Sequence, residues 1–156
     1  MRPQDIERMG DPDLRVGGLS LWIHGRAYED STDYWDGNWL RVTALCRYPG
    51  AWTSTEGTIL HLREVTNLLA GCEKVFETLA GNAALDCLEP NLKVEINSTG
   101  SGHLAVRISI TPDQLTQSHS YTDELDQTYL PAVISGCRSI LAKYPIRGTD
   151  PAVGGV

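Results

Sequence analysis

The sequence lacks every short motif that would identify a common catalytic or cofactor site. It has no GxSxG nucleophile elbow, no P-loop, no GxGxxG segment and no HExxH pair. Its four cysteines form no CxxC pair and its four histidines show no HxH or HxxxH spacing, so we predict no metal site and no cofactor. Catalytic residues that lie far apart in a chain leave no local motif, and an enzyme of that class stays open as an alternative.

Long apolar runs and an excess of basic residues are also missing. No apolar run approaches the roughly 20 residues of a membrane-spanning helix, and the first 17 residues are polar, unlike a secretory signal. We therefore expect a cytoplasmic protein without a membrane partner. Thirteen Lys and Arg residues against 20 Asp and Glu give a net charge of −7. This disfavours direct binding to nucleic acid, because a phosphate backbone needs a basic face, and it is compatible with a basic protein partner or with simple solubility.

Hydrophobic periodicity predicts an α+β fold. Alternation of apolar and polar residues indicates strands within 19–28, 38–48 and 51–60, and again within 84–90, 91–97 and 103–110, with a polar edge strand over 114–125. Two amphipathic helices are predicted, over 62–82 and 128–145. Short turns join successive strands. We therefore predict a single two-layer domain, with a mainly antiparallel sheet of about six to seven strands and both helices packed on one face.

The predicted domain covers residues 18–147. Residues 1–17 are interpreted as a polar lead-in, and residues 148–156 as a flexible C-terminal tail that follows the last helix. We find no internal repeat and no linker within the domain.

The most distinctive segment is DYWDGNWL, residues 33–40, where two tryptophans and two aspartates fall within eight residues. With the carboxylates just before it, this segment forms an acidic and aromatic loop, which has three interpretations: a solvated loop, a carboxylate pair for acid/base chemistry, or a surface that contacts a partner. A second carboxylate cluster, Asp123, Glu124 and Asp126, precedes the last helix. If a partner binds, the candidate residues are Asp30, Asp33, Trp35 and Asp36.

Two other tryptophans lie opposite the predicted core face of their strands. Trp22 and Trp39 alternate with aliphatic neighbours that point the other way. They form either a small secondary core or an exposed patch.

Three short motifs resemble those of a known family. DYWDGNWL at the start of the second strand, EPNL at residues 89–92, and YPIRG after the last helix occur in the order found in WapI-like immunity proteins. These small bacterial proteins are encoded beside secreted polymorphic toxins of the wall-associated, Rhs-repeat type. The resemblance extends over about residues 18 to 147.

The resemblance implies a small cytoplasmic protein without catalytic activity, which binds and blocks the C-terminal domain of its cognate toxin, often a nuclease. A nuclease domain needs a basic cleft, and an acidic inhibitor complements it. Two other functions remain open: an enzyme or small-ligand-binding protein with a pocket between sheet and helices, and a structural homodimeric subunit.

Overall fold

The computed structural model describes residues 1–154 and shows two antiparallel four-stranded sheets. The first sheet has the order β1-β2-β3-β4 and the second has the order β5-β6-β7-β8. The strands are β1 Leu14–Val16, β2 Leu19–Arg26, β3 Trp39–Tyr48, β4 Ala51–His61, β5 Asn82–Asp86, β6 Leu92–Gly100, β7 His103–Ile110 and β8 Ser120–Asp126. The helices are α1 Pro3–Glu7, α2 Tyr34–Gly37, α3 Leu62–Thr78, α4 Leu130–Lys143 and α5 Pro151–Gly154, with a 3-10 turn at Gln127–Tyr129 before α4.

The α+β class and the antiparallel pairing are confirmed, but the prediction of a single sheet with two helices on one face is wrong. Strand β4 continues directly into α3, and β5 then begins a new sheet in which it pairs with β6 alone. Helix α3 packs along β5 of the second sheet, whereas α4 packs along β1 of the first sheet and against α3. Alternation along a strand reveals which side chains face a core but not which sheet the strand joins, because pairing partners leave no mark on it.

One hydrophobic core contains side chains from both sheets and from the two long helices. At one end of this core, the Tyr48 hydroxyl at the end of β3 donates to Asp123 of β8 at 2.7 Å and accepts from the backbone N–H of Gly18 at 2.9 Å. The ring of Tyr48 stacks on Tyr121 with centroids 5.5 Å apart. These contacts join the two sheets, and they give Asp123 a structural role as the acceptor of the Tyr48 hydroxyl.

Helix α3 has a well-defined start and a close contact with the second sheet. His61 is its N-cap, and Glu64 completes a capping box by accepting from the His61 backbone N–H at 2.8 Å. A Cβ at Gly71 would lie 2.8 Å from Cα and Cβ of Ala83, so glycine allows the helix to approach β5. Phe76 follows the apolar spacing of this helix, but its side chain is 47% exposed.

The segment predicted as a polar lead-in, residues 1–17, contains α1 and β1. The Ile6 side chain of α1 forms a second small core with Trp22 and Leu45, and Trp22 Nε1 donates to the Gly10 carbonyl at 2.9 Å. Of the two interpretations given for Trp22, the structure therefore shows the small secondary core. Within the part of the chain that the structure describes, no helix combines the length and apolar character needed to cross a membrane.

Candidate functional site

The acidic loop, defined as residues 27–38, connects β2 to β3 and contains the one-turn helix α2. Asp33 is the N-cap of α2, and its Oδ1 accepts from the backbone N–H of Asp36 at 2.8 Å and of Gly37 at 3.3 Å. The Ser31 hydroxyl also donates to Asp33, at 3.0 Å. Asp33 therefore shapes the loop as well as adding charge to it.

Trp35 is half-buried against His61 and Arg63. Its ring centroid lies 5.2 Å from that of His61, and the Arg63 guanidinium lies 5.7 Å from the ring. The Trp35 carbonyl accepts from His61 Nε2 at 3.1 Å, and His61 Nδ1 accepts from the Arg63 backbone N–H at 3.1 Å. Burial lowers the pKa of His61, which favours the neutral ring that this pairing of one donor and one acceptor nitrogen requires.

Asn38 lies at the centre of a buried hydrogen-bond network below the loop. It is 0% exposed, and its Nδ2 donates to the carbonyls of Tyr34 at 2.7 Å and of Arg147 at 2.8 Å. Its Oδ1 accepts from the Arg147 backbone N–H at 2.8 Å and from Arg26 Nη1 at 3.3 Å. Both halves of the amide are therefore used, and they join the loop to the segment that follows α4.

Two arginines complete this network. Arg26 Nη1 donates to the Gly37 carbonyl at 2.6 Å, and its Nη2 donates to the Pro145 carbonyl. Arg147 Nη1 donates to the carbonyls of Glu29 at 2.6 Å and of Ser31 at 2.9 Å. The guanidinium groups thus satisfy backbone carbonyls of the loop and of the C-terminal segment.

Glu64 links the same region to the segment between β5 and β6. Its Oε1 accepts from the His61 backbone N–H, and its Oε2 accepts from the Leu88 backbone N–H at 2.9 Å. Burial raises its pKa, while these hydrogen bonds oppose that rise. Because both oxygens are engaged by the backbone, Glu64 has a structural role.

The structure places the four predicted partner-binding residues on one short loop. Asp30, Asp33 and Asp36 are exposed and Trp35 is partly exposed. Among the described residues, none of these three aspartates forms an ion pair within 4.0 Å. Tyr28 lies in the same loop and is 52% exposed, and the sequence analysis did not include it among the candidates.

The residues that hold the loop were also missed as a group. Arg147 lies in the YPIRG motif, and this motif could have drawn attention to it. Arg26 and His61 gave no signal, because each stands alone in a strand pattern and binds a backbone carbonyl that lies far away in the sequence, that of Pro145 for Arg26 and that of Trp35 for His61.

Two residues of the second carboxylate cluster have structural roles. Asp123 accepts from Tyr48, and Asp126 caps the 3-10 turn by accepting from the Thr128 backbone N–H at 2.8 Å. Hydrogen bonds from Thr128 lower the pKa of Asp126. Among residues 1–154, no group of three or more His, Cys, Asp or Glu side chains is arranged to hold a metal ion.

Comparison with known protein families identifies a family for this chain. A family model described as the immunity protein WapI-like family matches residues 13–145, which is most of the chain. This range includes the whole acidic loop and α4, and it ends just before Arg147. No curated protein and no solved structure matches the chain.

Proposed function

The chain belongs to the WapI-like immunity protein family, and on that premise we propose that it binds a cognate toxin domain and occludes it through the acidic loop. The binding surface would consist of Asp30, Asp33, Trp35 and Asp36, extended by Tyr28. The protein would act in the cytoplasm by binding alone, without catalysis.

The observation that supports this proposal is the uncompensated charge of the loop. Residues 27–38 contain four carboxylates and no Lys or Arg. Arg147 reaches the loop, but its closest contacts are backbone carbonyls, and its ion pair with Glu29 is long, at 4.0 Å. Most of the negative charge is therefore directed to solvent, where a basic surface would meet it.

Charge and aromatic surface have separate roles in this proposal. A toxin that acts on nucleic acid needs a basic cleft, and an acidic loop accelerates association by electrostatic steering. Trp35 and Tyr28 provide apolar area of the kind that slows dissociation from a protein interface. Occlusion would then be both steric and electrostatic.

The carboxylates of the loop and of its support favour binding over acid/base catalysis. Asp33 is held as a helix cap, and Glu64 uses both oxygens for backbone N–H groups. Neither side chain is free to exchange a proton with a substrate without loss of a structural hydrogen bond.

The test is the binding of the purified protein to the toxin domain encoded by the neighbouring open reading frame, measured by stopped flow at two salt concentrations. The double variant D30N/D36N should associate several-fold more slowly at low salt, with a smaller difference at high salt. The control E73Q/E77Q changes net charge equally on exposed residues of α3, and it should have a smaller effect.

Absence of binding at both salt concentrations would refute the proposed function. Equal effects of the two double variants would refute the acidic loop as the contact surface. A protein that elutes as a stable dimer, in which D30N/D36N changes only self-association, would instead support the structural homodimer.

A further inference from the structure

We propose that Arg147 is a positioning residue, which holds the acidic loop in its binding geometry before the partner arrives. This inference rests on the proposed function, because it assigns the loop as the contact surface. It adds that the C-terminal segment 145–150 is part of the binding machinery although it supplies none of the candidate contact residues.

The geometry of Arg147 fixes two points of the loop at once. Its Nη1 donates to the carbonyls of Glu29 and Ser31, which flank Asp30 in the chain. Two anchored carbonyls on either side of one residue restrict the backbone between them. The exposed carboxylate of Asp30 is thus presented from a fixed backbone.

The main chain of the same residue is tied to the other end of the loop. The Arg147 N–H and carbonyl both bond to the buried Asn38 side chain, at 2.8 Å each. Asn38 in turn bonds to the Tyr34 carbonyl within α2. The Arg147 guanidinium and backbone therefore connect the beginning, the helix and the end of the loop.

Packing of the following residues makes the attachment close. Gly148 has φ +67°, and a Cβ there would lie 2.8 Å from the Tyr34 backbone nitrogen. Asp150 pairs with Arg63 at 3.9 Å, and Arg63 covers the Trp35 ring. The segment thus contacts both the backbone of α2 and the support of its tryptophan.

Loss of Arg147 should change the affinity in opposite directions according to whether loop order or net charge decides it. Ordering a mobile loop on binding weakens affinity, and its effect is seen mainly in the dissociation rate. Loss of Arg147 makes an acidic protein more acidic, so electrostatic steering alone predicts faster association with a basic partner and no loss of affinity. A positioning role predicts faster dissociation and weaker binding, and the two explanations therefore differ in sign.

The first experiment needs no partner. Amide hydrogen exchange of the free protein is compared for wild type, R147A and R138A, where R138A removes the same charge from an exposed pair with Glu73. In R147A the amides of Ser31, Asp36 and Gly37 should exchange about tenfold faster or more, while amides of β6 and β7 keep their protection. Unchanged exchange at these three amides would overturn the proposal. So would an equal change in R138A.

The second experiment measures dissociation from the toxin domain of the neighbouring open reading frame. R147A should raise the dissociation rate about tenfold, equivalent to about 1.4 kcal/mol, whereas R138A should not. R147K keeps the charge but lacks the planar fork, and it should recover only part of the loss. If R147A does not fold, both experiments are made with R147K. Amide exchange rates and a dissociation rate in R147K equal to those of the wild type would then overturn the proposal.

The two proposals fail in distinguishable ways. If D30N/D36N leaves binding unchanged, the acidic loop is not the contact surface and the proposed function fails there. If D30N/D36N weakens binding but R147A dissociates like wild type, the contact surface stands and the positioning role of Arg147 is refuted.

Discussion

Replacement of Asn38 by Asp tests the buried network with almost no change in shape. The side chain is fully buried, and the substitution exchanges the Nδ2 amide for an oxygen. The carbonyls of Tyr34 and Arg147 then lose their donor and face a second acceptor. The neighbouring Arg26 guanidinium, 3.3 Å from Oδ1, offsets part of this loss by its attraction to the new charge.

The magnitude follows from the two lost donors. Each buried polar group left without a partner costs about 1–3 kcal/mol, and a charge-assisted bond to Arg26 returns about 1–2 kcal/mol. We expect N38D to lower the free energy of unfolding by about 3 kcal/mol, which is a fall in Tm of about 10 °C for a chain of this length.

Urea unfolding followed by tryptophan fluorescence and by circular dichroism measures this difference. The control is N97D, which adds the same charge on an exposed side chain of β6 and should change stability by less than about 0.5 kcal/mol. A loss of under about 1 kcal/mol in N38D would refute the argument that both halves of the amide are needed. A matching loss in N97D would assign the effect to net charge instead.

Three further predictions concern residues outside this network. G71A should destabilise by about 1–3 kcal/mol because its Cβ would meet Ala83 at 2.8 Å, although helix propensity alone predicts a gain of about 1 kcal/mol; urea unfolding decides the sign. D33A should cost about 1 kcal/mol through loss of the α2 cap, whereas D36A should change the Tm by no more than a surface substitution does. Because burial lowers the pKa of His61 in the folded protein, the unfolded state binds a proton at this residue more readily. The contribution of His61 to the free energy of unfolding is therefore complete above about pH 6.5 and is lost as the pH falls below that value. The variant H61Q should not show this loss when its free energy of unfolding is measured against pH.

The sequence was sufficient to predict the two long helices and the inward faces of β2, β3, β6 and β7. The alternation in β6 and β7 and the spacing of three and four residues in α3 identify side chains that are buried in the structure. The division into two sheets could not be predicted this way, because every strand has one apolar face whichever sheet contains it. Phe76 shares the apolar spacing of α3 and is still exposed, because periodicity defines a wide apolar stripe and the side chains at its margin can remain outside the core.

Only the exposed residues of the candidate site could be predicted from the sequence, and the buried residues that support them could not. Asp30, Asp33 and Asp36 are close in sequence, so a loop was enough to bring them together. The support below them joins residues more than 100 positions apart, as in the bonds from Asn38 and Arg26 to the C-terminal segment. Such contacts depend on the closure of the whole fold and leave no local pattern.

Each of the three motifs that carry the resemblance contains at least one residue with a structural role. In DYWDGNWL, Asp33 caps α2 and Asn38 joins the loop to the C-terminal segment. In EPNL, Asn91 donates to the Thr111 carbonyl at 2.9 Å, and in YPIRG, Arg147 supports the loop. Each motif therefore contributes a residue to the scaffold of this chain. Under the proposed function, the choice of toxin should depend on exposed residues that the scaffold does not use. Replacement of Asp30 together with the exposed loop residues that have no structural role should alter which toxin is bound and should leave the Tm unchanged.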